Sequence, residues 1–169
     1  IDLVITSGAV SAGKFDYVPK IIKQFKLSSY FKNIAIRPGK PILFAKIKRS
    51  KKAIFGLPGN PISSVACFRF FVYPYLQECL GLKPEKPIRA ILKNNFTKHK
   101  KFTRFVRSKV YTTKNGKLEV KILSGQESFR IHSFVESNIW TVLPSGKSLF
   151  KKNEIVDCFL LNHPNKIFS

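Results

Sequence analysis

Two short runs of small residues carry the groups that can hold an anion. Thr6-Ser7-Gly8-Ala9-Val10-Ser11-Ala12-Gly13 offers the hydroxyls of Thr6, Ser7 and Ser11, and glycines at Gly8 and Gly13 let backbone amides approach an oxyanion closely. Gly56-Leu57-Pro58-Gly59-Asn60-Pro61-Ile62-Ser63 ends where Asn60 suits a helix N-cap and Pro61 the first helical position. Unpaired amides at such a helix start favour negative charge. Between these runs, Arg37-Pro38-Gly39-Lys40-Pro41 sets two cations on one turn, Arg37 as a planar fork and Lys40 as a point charge. Asp16 is the only acid between Asp2 and Glu78. It suits a divalent ion that bridges phosphates, and it suits a helix cap equally well. Tight turns, a capped helix and solvated surface charge are the plainer readings of the same residues, and they stay open at this point.

The elements that must position these residues follow from the apolar pattern. Leu3 to Thr6 reads as a buried strand running straight into the first loop. Asp16 to Lys26 reads as a helix capped by Asp16, with Val18, Ile21, Ile22 and Phe25 at helical spacing and Pro19 in its first turn. Strand-like runs follow at 31–36, 41–47 and 53–56, the first two split by the turn at 37–40. Asn60 then opens an apolar helix to about Leu80, which Pro74 kinks or divides. Strands alternating with helices indicate an α/β layer with a mainly parallel sheet, in which both small-residue loops lie at the carboxyl ends of strands.

The composition shifts at Gly81-Leu82-Lys83-Pro84-Glu85-Lys86-Pro87, read here as a linker. Residues 1–83 form the α/β part and 84–169 a second domain. Beyond the linker no helical period appears. Runs at 88–92, 103–112, 117–123, 129–135, 138–143 and 154–161 read as strands of a small antiparallel barrel or sandwich, with Asn115-Gly116 as a type I′ hairpin turn.

Composition sets further bounds. The chain has 169 residues, of which 44% are hydrophobic, with 16 Phe, enough for a packed core, so disorder is excluded. No apolar run reaches the ~20 residues of a membrane-spanning helix. Three cysteines give no disulfide framework: Cys67 and Cys79 fall ~18 Å apart on one helix, and Cys158 stands alone. Unpaired thiols point to the reducing cytoplasm. The net charge is +22. It divides evenly, with 14 basic and 3 acidic residues in 1–83 against 17 and 6 in 84–169. Its densest stretches, Lys46 to Lys52 and Lys98 to Lys101, fall at expected turns, which indicates a solvated surface rather than a nucleic-acid groove. The absence of Met and the opening strand suggest the C-terminal piece of a longer protein.

Three motifs in this order and spacing, Thr6 to Gly13 with Asp16-Tyr17, Arg37 to Pro41, and Gly56 to Ser63, resemble the molybdopterin molybdenumtransferase family, which includes bacterial MoeA and the E domain of gephyrin and its plant relatives. The resemblance continues through Phe105-Val106-Arg107, Gly125-Gln126-Glu127-Ser128 and Ser133, which are similar to the family's C-terminal barrel domain.

The resemblance implies a partial molybdopterin-binding α/β domain followed by that barrel. It implies insertion of molybdate into adenylylated molybdopterin in a Mg²⁺-dependent step that releases AMP. Asp16 matches the family's essential aspartate, as catalytic and metal-binding residue. Arg37, Lys40, Ser63, Arg107 and Ser133 match positions around the molybdate. Thr6, Ser7, Gly8, Ser11 and Gly13, with Pro58, Gly59, Asn60 and Pro61, match the molybdopterin and phosphate contacts. A homodimer in full-length form and the molybdopterin adenylyltransferase are the implied partners, and the piece alone is expected to bind anions without completing the reaction. The chain departs from the family pattern at Ala9, where a second glycine is usual, at Asn33, where a lysine is frequent, and at Arg104, where an acid is usual. The alternatives are a molybdopterin-binding or adenylylating protein of the same fold and, from a different class, a basic nucleic-acid-binding or scaffold module. The barrel argues against the first. Phe102, Arg104, Phe105 and Arg107 do not alternate as the second requires.

Overall fold

A computed structural model describes residues 2–8, 17–50, 52–127 and 130–161. The chain divides into two compact units, Ile1–Pro84 and Glu85–Ser169.

In the first unit, β1 (Leu3–Ser7), β2 (Leu27–Lys32), β4 (Leu43–Ile47) and β5 (Ala53–Leu57) form one sheet in the order β1-β5-β4-β2, and β3 is the two-residue strand Ile36–Arg37. β1 runs parallel to β5, whereas β4 is antiparallel to both β5 and β2. The α/β character stands, and the parallel pairing is confined to β1 and β5. Alternation along the strands separates two faces. Leu43, Ala45 and Ile54 pack with Ile22 and Val18 of α1 (Val18–Ile22). Phe44 and Phe55 point the other way and meet Tyr75 at ring-centroid distances of 5.6 and 5.5 Å. Helices thus cover both faces of the sheet.

In this unit two elements differ from expectation. The helix expected over Asp16–Lys26 is the single turn Val18–Ile22, with Tyr17 at the N-cap and no side-chain cap bond. Asp16 lies outside the described residues. The helix stops because Gln24 and Phe25 donate their amides three residues back, to Ile21 and Ile22, and Phe25 is 47% exposed, so no packing pulls the turn onward. The strand expected at 31–36 lies earlier, at Leu27–Lys32. It ends at Asn33, whose φ of 60° is a left-handed conformation that Asn tolerates better than most residues.

After β5, Asn60 and Pro61 start α2 (Pro61–Cys67), which continues through a π-helical turn at Phe68–Val72 into α3 (Tyr73–Cys79). Pro74 sits in the first turn of α3, so its missing N–H falls where the wider turn has already interrupted the regular ladder.

The second unit is built from β6 (Ile88–Leu92), β8 (Thr103–Thr112), β9 (Leu118–Ile122), β10 (Ile139–Leu143) and β12 (Ile155–Leu160), with a small antiparallel pair β7 (Phe96–Thr97) and β11 (Leu149–Phe150). The five long strands close in the order β10-β12-β6-β9-β8 and back to β10. Every pair is antiparallel except β6 with β9. Leu92, Val106, Val120, Ile122, Ile139, Leu143 and Val156 fill its core. The run expected as a strand over 129–135 contains instead the short helix α4 (His132–Val135). Ile131 and Val135 are 56% and 75% exposed, so these apolar residues line no sheet face. The turn at Asn115-Gly116 is not type I′. Gly116 alone takes positive φ, at 71°, and donates its amide to Thr113, the pattern of a type I turn closed by a left-handed glycine.

Candidate functional site

In the first unit the two small-residue loops meet. β1 and β5 run side by side with Thr6 opposite Gly56 and Ser7 opposite Leu57, so both chains leave the sheet at the same end. The Gly8 amide, at a φ of 83°, donates to the Leu57 carbonyl at 3.0 Å. A Cβ on Gly59 would lie 3.5 Å from the Gly8 Cα, which places the loops in contact through their glycines. The Thr6 hydroxyl is buried beside them and has no hydrogen-bond partner among the described residues. Ser11, Gly13 and Asp16 lie outside those residues.

Asn60 organises the second loop. Its Oδ1 accepts from the Ser63 amide at 3.1 Å and from the Ser63 hydroxyl at 3.2 Å, and Ser64 donates its hydroxyl to the Pro58 carbonyl. Ser63 is therefore buried and already engaged with the cap. The turn bearing Arg37 and Lys40 is fastened to the same helix. Gly39 has a φ of 106°, the Cys67 thiol donates to its carbonyl at 3.6 Å, and the Ser63 carbonyl would lie 3.6 Å from a Cβ placed on it. Arg37 and Lys40 are both exposed, and the Arg37–Pro38 peptide is cis. Gly8, Gly59, Asn60, Ser63 and the cationic turn thus occupy one end of the unit, with α2 as their common support.

Arg107 and Ser133 come together in the second unit. Arg107 sits in β8 and is 1% exposed. Its Nη1 donates to the Arg130 carbonyl at 3.1 Å, and its Nη2 donates to the carbonyls of Gly125 at 2.9 Å and Glu127 at 3.2 Å. Ser133 Oγ donates to the same Gly125 carbonyl at 2.7 Å. Burial draws the guanidinium pKa below its usual value, Arg104 adds to this, and Glu127 opposes it. Three carbonyls at hydrogen-bond distance suit the charged form. Gln126 was not among the residues singled out from the sequence, although it lies within the quoted Gly-Gln-Glu-Ser run. Its side chain bonds the backbone of Arg107.

Other features carry less. A cavity of about 260 Å³ in the first unit is lined by Phe31, Phe44, Phe55, Phe70, Tyr75 and Glu78, rings and a carboxylate that do not suit an oxyanion. Among the described residues no three His, Cys, Asp or Glu side chains cluster as metal ligands, and no helix is long and apolar enough to cross a membrane. Cys67, Cys79 and Cys158 are free thiols.

An α/β unit with paired glycine loops at the ends of parallel strands, followed by a closed five-stranded barrel, is the architecture of a pterin-binding domain joined to a MoeA-type C-terminal domain. Residues 1–78 match the family described as probable molybdopterin binding domain, and residues 89–161 match the MoeA C-terminal region (domain IV). The chain therefore carries a probable molybdopterin binding domain and a MoeA C-terminal region in series. It is 38% identical over 162 residues to the molybdopterin molybdenumtransferase of Staphylococcus aureus (strain COL), covering 94% of this chain and 38% of that protein. It is 37% identical over 164 residues to the protein of that name from Staphylococcus epidermidis (strain ATCC 35984), with the same coverages. The chain therefore spans well under half the length of these relatives. Among solved structures, the molybdenum cofactor biosynthesis protein from Pyrococcus furiosus matches 94% of this chain and 49% of its own, with a TM-score of 0.67 at 25% identity. The molybdopterin biosynthesis moea protein from Pyrococcus horikosii matches 96% and 38%, with a TM-score of 0.69 at 25% identity.

Proposed function

We propose that the chain supplies the molybdopterin-binding and C-terminal parts of a molybdopterin molybdenumtransferase, which inserts molybdate into adenylylated molybdopterin and releases AMP. The observation that carries the reading is the series of two family domains in one chain, with the loops of the first in contact at Gly8 and Gly59. The barrel is what a pterin-adenylylating or merely pterin-binding protein does not need.

The residues divide the work by chemistry. Pterin phosphate is held at the paired loops, where Gly8 and Gly59 let it approach the backbone closely and the buried Thr6 hydroxyl, which has no partner among the described residues, can donate to such an oxygen. Arg37 and Lys40 supply positive charge for molybdate, a tetrahedral dianion better matched by cationic donors than by acidic side chains. Ser63 contributes through the helix start it shares with Asn60. Arg107, as a cation, and Ser133, whose hydroxyl would have to turn from the Gly125 carbonyl to meet an anion, are the further molybdate-binding residues in the second unit.

The donor set for Mg²⁺ is a single carboxylate, Asp16, which is compatible with a hard ion that keeps water and phosphate oxygens as its other ligands. Bound there, the ion would neutralise charge on the phosphoanhydride. The cytoplasm, a homodimer and exchange of the pterin with the adenylyltransferase complete the reading.

A chimera tests it. The chain replaces the matching 162 residues of the Staphylococcus aureus relative, and AMP release and cofactor formation are followed with adenylylated molybdopterin, Mg²⁺ and molybdate. Turnover is expected, and Asp16→Asn should abolish it with the fold kept. A folded chimera that leaves the adenylylated pterin intact, or an Asp16→Asn variant with full turnover, would sink the assignment.

A further inference from the structure

Arg107 and Gln126 hold each other by a reciprocal exchange of side chain and backbone. β9 ends at Ile122, yet the edge of β8 that it covers does not go unpaired there. The Arg107 amide donates to Gln126 Oε1 at 3.0 Å, and Gln126 Nε2 donates to the Arg107 carbonyl at 2.8 Å. The Leu123 amide also donates to the Arg107 carbonyl, at 3.1 Å, so the side-chain amide completes the pairing there and is the acceptor for the Arg107 amide. The second Nε2 hydrogen goes to the Leu123 carbonyl at 2.9 Å, so both amide hydrogens are used and the amide can be oriented in only one way. In the opposite sense, the Arg107 guanidinium grips the backbone on either side of Gln126, at the Gly125 and Glu127 carbonyls. The first half of this exchange fixes where the Arg107 backbone sits, and the second fixes how the loop wraps its side chain.

We infer that Gln126 is a positioning residue for anion recognition, acting through Arg107 and, by way of the Gly125 carbonyl, Ser133. The inference rests on the reading of Arg107 and Ser133 as molybdate-binding residues. Glutamine is the side chain this role demands. Glutamate keeps one acceptor for the Arg107 amide but sets a carboxylate oxygen against two carbonyls, and leucine fills the volume while leaving the Arg107 amide unpaired and its carbonyl with the Leu123 amide alone.

The experiment is molybdate titration by calorimetry of the whole chain and its variants Gln126→Leu, Gln126→Glu, Arg107→Ala and the double variant Arg107→Ala with Gln126→Leu. Gln126→Leu and Gln126→Glu should each weaken molybdate binding about tenfold, the scale of one lost charge-assisted hydrogen bond. The double variant should bind no more weakly than Arg107→Ala alone, because a residue that acts only through Arg107 has nothing left to position. A purely structural glutamine would lower the melting temperature and leave the affinity of the folded fraction unchanged. Amide exchange of Arg107 gives a second readout, with protection in the wild type and its loss in Gln126→Leu. Weak binding by Arg107→Ala together with wild-type binding by both Gln126 variants overturns the inference alone. Additive losses in the double variant do the same. Unchanged binding by Arg107→Ala overturns the reading beneath it.

Discussion

The thiol of Cys67 and the α-carbon of Gly39 face one another with no room for a side chain: a Cβ on Gly39 would lie 2.4 Å from Sγ. This contact seats the Arg37–Lys40 turn on α2, and it ties the placement of two cations to one residue of the helix that follows the second loop.

Gly39→Ala should therefore destabilise the first unit by about 2–4 kcal/mol, combining overpacking with the cost of a positive φ for a residue bearing Cβ. Adding Cys67→Ala should return the overpacking share and leave the backbone share. Urea unfolding measures both, and a Gly39→Ala chain as stable as the wild type would show that the turn does not sit on the helix.

Asn60 separates stability from binding. Asn60→Ala should cost about 1 kcal/mol, through loss of the acceptor for the Ser63 amide. Asn60→Asp keeps the cap and should leave the melting temperature nearly unchanged, yet it adds negative charge between the paired loops and should weaken phosphate or molybdate binding. Equal affinity in Asn60→Asp and wild type would place the anion elsewhere.

Arg37→Ala and Lys40→Ala should each reduce molybdate affinity about tenfold or more, the ~1.5–3 kcal/mol of a hydrogen bond to a charged group. The loss should shrink at high salt, since both side chains are exposed. Titration at two ionic strengths checks both statements. Unaltered binding in both variants counts against the cationic turn.

The thiols give a pH prediction. Burial pushes Cys67 up to about 12 and Cys158 up to about 11 from an ordinary value of 9.0. A folded pKa above the unfolded one means that the stability tied to these thiols is whole below pH 9 and drains away as pH climbs through 11 and 12. Chemical unfolding should become easier in that window, and Cys67→Ala should remove part of the dependence. At pH 8, iodoacetamide should modify the exposed Cys79 alone until the chain unfolds. Rapid labelling of Cys67 in the folded protein would contradict its placement.

Local signals made part of this structure legible. Asn60 and Pro61 announce a helix because a cap and a fixed φ act within a few residues, and β6, β8, β9, β10 and β12 are visible as short runs without a helical period. Leu27–Lys32 was harder to see as a strand, since Ser28 and Ser29 carry no apolar period and their conformation comes from pairing with β4, across a bulge at Leu27–Ser29. The opposite failure occurs at the run expected as a strand over 129–135, whose described part contains the short helix α4, with Ile131 and Val135 exposed. The candidate site shows the same division. Paired glycine loops and a cationic turn are spelled out in consecutive residues. That Arg107 reaches carbonyls 18 to 23 residues further on is a tertiary fact with no local mark.

The barrel's closure has a consequence for how the chain is made. Its first strand pairs with its last, Ile88 with Cys158 and Ile91 with Ile155. On a ribosome, the described elements of the first unit are out once Cys79 has emerged, whereas the second unit cannot close until Leu160 is out. Through that interval β6 lacks its neighbour on one side, and Leu92 and Val106 lack the strand that covers them. Long-range pairing of this kind folds slowly and late. A nascent chain halted between the two points would carry an open, sticky half-barrel, which makes that stretch of synthesis one in which a chaperone has much to offer.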